Sequence, residues 1–216
     1  MWYYIVAGGP TMIPLVACSI LALMIVIERF WVLLKMPNLS VCEAQLTEVE
    51  KILSEKGMSS ALDHCLKGKG IMKYVFASLI KRYHFLVLEE RNMEDMRAEL
   101  YNTSEESGFQ YLNRWMPMLN TIIGLSPLLG LFGTVFGMVI AFEAMASGAG
   151  GDARQVANGI SQALITTVAG LLIAMPALVF YRILSSIADK VRARVELFTY
   201  TFASGLVKIR QKEKSK

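Results

Sequence analysis

Two apolar stretches punctuated by glycine and threonine constrain this chain more than any other feature. One runs from Leu119 to Ala146 and the other from Ile160 to Tyr181. Each supplies the roughly 20 residues that an α-helix needs to cross a bilayer. Neither is a uniform greasy span. Gly130, Gly133, Gly137, Gly159 and Gly170 remove side chains where two backbones can approach closely. Thr134, Gln162, Thr166 and Thr167 place hydroxyl and amide groups at depths where lipid offers no partner, so they are expected on a bundle interior or a wet cavity. The expectation is a membrane protein whose interior face is built from these two helices.

Composition points the same way. Hydrophobic residues make up 54% of the 216, above the share of a soluble globular chain, so much of that surface is meant for lipid. The net charge of +4 is modest and gives no ground for nucleic-acid binding. Cys18, Cys42 and Cys65 have neither metal-ligand spacing nor a disulfide frame. His64 and His84 lie far apart with no further ligand at a recognised spacing, so no metal is expected. Cys65 beside His64 makes no dyad, because adjacent helix positions point in different directions. No cofactor is expected, and packing accounts for the scattered methionines.

Residues 1–27 carry no charged side chain and run straight into Glu28 and Arg29. A signal peptide opens on a positive region, which is missing here, so this segment is expected to stay as a first membrane helix. Pro10 and Pro14 suit its first turn, where a missing amide matters little. Trp2, Tyr3 and Tyr4 suit the outer interface. Arg29 and Lys35 follow the first span, Arg114 precedes the second, and Arg182, Lys190, Arg192 and Arg194 follow the third, whereas Arg154 is the one basic residue between the second and third. Basic flanks favour the cytoplasm. The expected organisation is an outer N-terminus and first span over 1–30, a cytoplasmic helical domain over 31–118, spans over 119–146 and 156–181 joined by a short outer turn at 147–155, and a cytoplasmic helical tail over 182–216. The fold class is all-α, with three membrane helices extended by long cytoplasmic ones.

Residues 31–118 hold 11 Lys or Arg and 12 Asp or Glu, a balance that fits a folded domain rather than a polybasic tether. Ser40 to Ser54 reads as a helix with Val41, Leu46, Val49 and Leu53 on one face. A second short helix runs to Leu66, and Gly68 and Gly70 break it. Ile71 to Leu100 reads as one long helix. Beyond Tyr181, Ile183, Leu184, Ile187, Val191, Val195 and Phe198 continue an apolar stripe, so the last helix is expected to run on past the membrane. Its final basic run, KIRQKEKSK, enforces topology and can touch anionic headgroups of membrane lipids.

The polar groups of the spans are the candidate functional residues. Gly133 and Gly137 form a GxxxG ridge that a neighbouring helix can approach, and close contact between copies is expected there. Gln162 and Thr166, four apart, share a helical face, with Thr167 on the adjoining one beside Gly170. Pro176 can loosen the lower part of that helix. Thr and Gln relay hydrogen bonds but do not titrate near neutral pH. Glu143 is the one acidic residue of the two spans and lies nine positions beyond Thr134, roughly 13 Å along an ideal helix, at the outer mouth. A carboxylate at mid-membrane would have to come from a partner.

The chain resembles the MotA/TolQ/ExbB proton-channel family, and within it the three-span ExbB/TolQ branch, on the ExbB side. The resemblance runs over nearly the whole chain and is most specific in PLLGLFGTVFGMV (127–139) and GISQALITTVAGLLIAMPALVFYR (159–182), with ERF at 28–30. It implies a homo-oligomer, a pentamer by the ExbB pattern, around helices of an ExbD/TolR-like single-span partner whose membrane Asp titrates, together with a TonB-like protein. It implies that Thr134 and Thr167 face the pore; the residue pattern itself puts Gln162 and Thr166 on a polar path with Glu143 at its mouth, and Gly130, Gly133, Gly137, Gly170 and Pro176 in helix packing. Gln162 stands where ExbB and TolQ often carry Glu, so a proton relay copied from that glutamate does not transfer. The implied activity is not enzymatic: inward proton flow drives work across the periplasm, for TonB-linked import or, on the TolQ side, for envelope integrity. A non-conducting scaffold remains the competing class. A secondary transporter lacks its inverted repeat here, and Gly148–Gly151 lacks the lysine of a phosphate loop.

Overall fold

The computed structural model describes residues 8–146 and 153–214. Trp2, Tyr3 and Tyr4, most of the turn expected at 147–155, and the last two residues lie outside them. Among the described residues six helices follow in order: α1 Met12–Leu34, α2 Leu39–Lys67, α3 Ile71–Leu88, α4 Met93–Leu112, α5 Met116–Ala146 and α6 Ala153–Lys214. No strand occurs among the described residues. Two compact units are formed, one of residues 1–31 and 115–185, the other of residues 32–114 and 186–216. α1, Met116–Glu143 of α5 and a stretch of α6 are long and apolar enough to cross a membrane.

In the first unit, α1 opens on a tight turn. Thr11 Oγ1 donates to Gly8 O at 3.2 Å, and the Met12 amide donates to Gly9 O at 3.1 Å. Pro14 falls in the first turn, where its missing N–H breaks no helical bond. One stripe of α1, Cys18, Ala22, Ile25 and Val26, is buried with Leu119 and Ile122 of α5 and Ala177 of α6. The other faces leave Ile13, Leu23, Met24 and Trp31 exposed. Exposed apolar side chains in such numbers are what a lipid-facing helix presents. At the charged end of α1, Arg29 is buried and pairs with Glu28 at 2.6 Å.

In the second unit, α2 carries a kink at Gly57, whose φ of 81° suits glycine and few other residues. The two short helices read on either side of it are therefore both present. Cys42, Leu46 and Val49 form the buried face of the first half, whereas Val41 is exposed. Gly68 ends α2 and Gly70, at φ 114°, starts α3. The single long helix expected over Ile71–Leu100 is corrected to two. α3 closes at Leu88, Glu90 takes φ 55°, and α4 restarts at Met93, with the Arg91 amide reaching back to Leu86 O. No Gly or Pro marks that turn, which is why periodicity reads straight through it.

α3 packs on both α2 and α4. The far part of α6 completes this unit with a stripe of buried residues, Ala188, Val191, Val195, Thr199, Phe202 and Leu206, at helical spacing. Phe76 and Phe202 meet with ring centroids 4.6 Å apart, each almost fully buried. Burying such a side chain contributes about 1.5–3 kcal/mol. Polar contacts fix the register between α4 and α6. Ser104 Oγ donates to Thr199 Oγ1 at 2.6 Å, Tyr101 and Ser204 hydroxyls lie 2.8 Å apart, and Arg192 pairs with Glu105 and Glu196. The tail of the chain is thus a packed helix through most of its length. The apolar stripe expected beyond Tyr181 is real, with Leu184, Val191 and Val195 buried and Ile183 turned out.

Candidate functional site: the glycine seam of two membrane helices

α5 and α6 meet along their glycines. A Cβ added to Gly130 would stand 2.9 Å from Thr166 O, one on Gly137 would stand 2.7 Å from Gly159 O, and one on Gly170 would stand 2.5 Å from Ser126 O. The contact is reciprocal, since a Cβ on Gly159 would stand 2.8 Å from Gly137 O. Ser126 opposite Gly170 and Ala141 opposite Gly159 make the pair antiparallel. Only residues without a Cβ allow backbones this close, and the short separation lets dispersion hold helices that the hydrophobic effect cannot hold in lipid. The Gly133–Gly137 ridge, expected between copies, is therefore filled from within the chain by Thr166 and Ala163 of α6. Pro127 and Pro176 both lie inside unbroken helices.

The polar side chains divide by position around this seam. Thr166 lies at its centre, fully buried, and donates to Ala163 O at 2.8 Å, with Gly130 O farther away at 3.4 Å. Its hydroxyl acts as a packing group within the chain. Ser126 is likewise buried and bonds back to Ile122 O at 2.7 Å. Thr167 is half-buried, and its hydroxyl finds only long contacts, 3.4 Å to Gly130 O and 3.5 Å to Ala163 O. Thr134 is half-buried and donates to Leu131 O at 2.7 Å.

At about 100° per residue, Thr134 lies one step round α5 from Gly133, and Thr167 one step round α6 from Thr166. In an antiparallel pair these two steps turn towards the same side. α1 occupies the other side. Leu129, Phe132 and Phe136 of α5 meet Pro10, Thr11 and Pro14 around a cleft of about 190 Å³. Ala169, Ile173, Pro176 and Phe180 of α6 face α1 across a cleft of about 530 Å³. Thr134 and Thr167 therefore flank the seam together, on the face away from α1.

Gln162 does not join them. Its amide nitrogen lies where a Cβ on Gly9 would be, 2.0 Å away, so the side chain rests on the turn ahead of α1. The four-residue spacing to Thr166 places both on neighbouring parts of α6, yet the seam and the α1 face divide them. Nothing in the spacing alone signals this; the signal is the run of Ala169, Ile173, Pro176 and Phe180, which continues from Gln162 at helical intervals. Glu143 is exposed near the end of α5, one turn short of Ala146. Outside the spans, His64 Nε2 lies 3.3 Å from Glu48 and 3.1 Å from Lys73 Nζ.

A three-span membrane protein, all-helical among the described residues, with a glycine-zipped helix pair edged by threonines is the class this geometry defines. Residues 67–197 match the MotA/TolQ/ExbB proton channel family, and the chain belongs to it. It is 34% identical over 188 residues to the ExbB-like 1 biopolymer transport protein of Synechocystis sp., a match covering 85% of this chain and 70% of that one. It is 31% identical over 188 residues to the biopolymer transport protein exbB1 of Vibrio cholerae, covering 85% of this chain and 78% of that one. The Tol-Pal system protein TolQ of Haemophilus influenzae is 40% identical over 90 residues, 42% of this chain and 39% of that one.

Proposed function

We propose that this chain is the multi-span stator subunit of a proton-driven motor of the bacterial inner membrane, which works with an ExbD-like single-span partner to energise TonB-dependent transport through the outer membrane. The observation that carries this reading is the threonine face. Thr134 and Thr167 flank the α5–α6 seam on the side that α1 leaves open, and both remain half-buried rather than sealed. Their hydroxyls can hold water or pass hydrogen bonds, but no side chain of either span titrates at that depth. The carboxylate that takes up and releases the proton is the partner's membrane Asp.

Copies of the chain, five by the ExbB pattern, turn this face towards the partner helices. The N-terminus is periplasmic, residues 31–118 and 182–216 are cytoplasmic, and Glu143 stands at the periplasmic mouth. The ExbB reading is supported by two ExbB-type relatives that each align with 85% of the chain; coverage alone does not separate the branches, since another relative named ExbB aligns with 34% and the TolQ relative with 42%. The test is reconstitution of the chain with its partner in liposomes, with internal pH followed under an imposed gradient. Proton uptake that disappears when the partner's membrane Asp is changed to Asn is the expected result. A correctly assembled complex that moves no protons would leave a scaffold in place of a channel.

A further inference from the structure

From the position of Gln162 we infer that it is a positioning residue for α1: its amide seats the turn ahead of that helix and stands off the proton path. This rests on the proposed channel reading only for the second half of the statement. Three observations carry it. The Gln162 amide occupies the space of the missing Cβ at Gly9. Gly9 itself takes φ 70°, which favours glycine, and a Cβ there would displace the end of the Gln162 side chain from the turn. The stripe of α6 that continues from Gln162, through Ala169, Ile173 and Pro176, faces α1. Thr134 and Thr167 lie on the opposite flank of the seam.

The physical consequence is a division of labour on one helix. A primary amide at membrane depth needs polar company. The turn at Gly8–Thr11 is polar, although its Gly8, Gly9 and Pro10 carbonyls already accept from the Thr11 hydroxyl and the Met12 and Ile13 amides, so each has only a second lone pair to offer. Seating the amide there fixes where α1 begins against α6, directly beside the cleft lined by Pro10 and Pro14. A glutamate at the same place would set a carboxylate against α1, away from the threonine face.

A double-mutant cycle and a pH profile test the two halves separately. Gly9→Ala, Gln162→Ala and their combination are compared by apparent Tm in detergent. Gly9→Ala is expected to lower Tm by roughly 5 °C in the otherwise unchanged chain and by about 2 °C in the Gln162→Ala background, where the clash is gone and the backbone strain remains. Additive shifts would overturn the contact. If Gly9→Ala alone fails to fold, recovery in the double variant shows the coupling, and equal failure of both overturns it. For the path, Gln162→Glu with its partner in liposomes is expected to keep the wild-type pH midpoint of proton flux. A new ionisation in that profile would put position 162 on the path and overturn the assignment. Absence of flux in the wild-type complex would overturn the channel reading instead, while the Tm cycle would still decide the contact.

Discussion

Gly170 and Gly124 show how differently two glycines of neighbouring membrane helices are used. A Cβ at position 170 would sit 2.5 Å from Ser126 O, a backbone atom that cannot swing aside, whereas nothing lies within 4 Å of a Cβ at 124. Gly170→Ala is expected to push α5 and α6 apart and to destabilise the chain by about 1–3 kcal/mol, with Gly124→Ala within about 0.5 kcal/mol of the parent; denaturant titration in micelles measures both. Gly133→Leu should by the same reasoning break the chain's own helix pair before it affects contacts between copies. The glycines and threonines were legible in the sequence as a polar, closely packed interior. Their partners were not, because a GxxxG ridge carries no mark of whether its complement lies on the same chain. Thr166 and Gln162 illustrate the same limit: four-residue spacing fixes a shared helix surface, but the third helix decides which part of it meets a seam and which meets α1.

Among the elements, the turn between α3 and α4 is the place where helical periodicity misled. Apolar residues at helical intervals continue from Ile71 to Leu100, and the chain nevertheless folds back at Glu90 in the left-handed region. A non-glycine residue there carries about 1–2 kcal/mol of strain. Glu90→Gly is expected to leave stability unchanged or raise it by up to about 1 kcal/mol, as the relief of strain is offset by a more flexible unfolded chain; Glu90→Val should lower it. Thermal unfolding of the two variants distinguishes a genuine turn from a continuous helix, in which valine would be tolerated and glycine harmful. By contrast the Gly57, Gly68 and Gly70 breaks, the three spans and the run of the last helix past Tyr181 all carry sequence signals of their own, in glycine punctuation and in a sustained apolar stripe.

At the scale of the whole molecule, the buried thiols make a topology experiment clean. Burial pushes the Cys65 thiol up to about 11, and burial also raises Cys42 against the opposing pull of Arg194. Both thiols stay protonated, hence unreactive, through the neutral range. Between the ordinary thiol value near 9 and about 11 the folded chain holds the Cys65 proton that the unfolded chain has lost, so that share of stability is complete below pH 9 and falls as pH rises to 11. Cys65→Ser is expected to flatten the alkaline decline in Tm. With Cys18 changed to Ser and Cys42 and Cys65 protonated at pH 7, a cysteine placed at Lys56 reports the side of the membrane on which the second unit lies. Labelling from the cytoplasmic side alone is expected, and labelling from the outer side alone would reverse the topology. The central claim, that protons pass along the face bearing Thr134 and Thr167, has its most direct test in flux through the reconstituted complex carrying Thr134→Val and Thr167→Val, singly and together. Valine keeps the shape and removes the hydroxyl. Normal assembly is expected, with proton flux reduced at least about tenfold in the double variant, the equivalent of about 1.4 kcal/mol on the barrier; normal assembly with undiminished flux would mean that protons do not pass along this face.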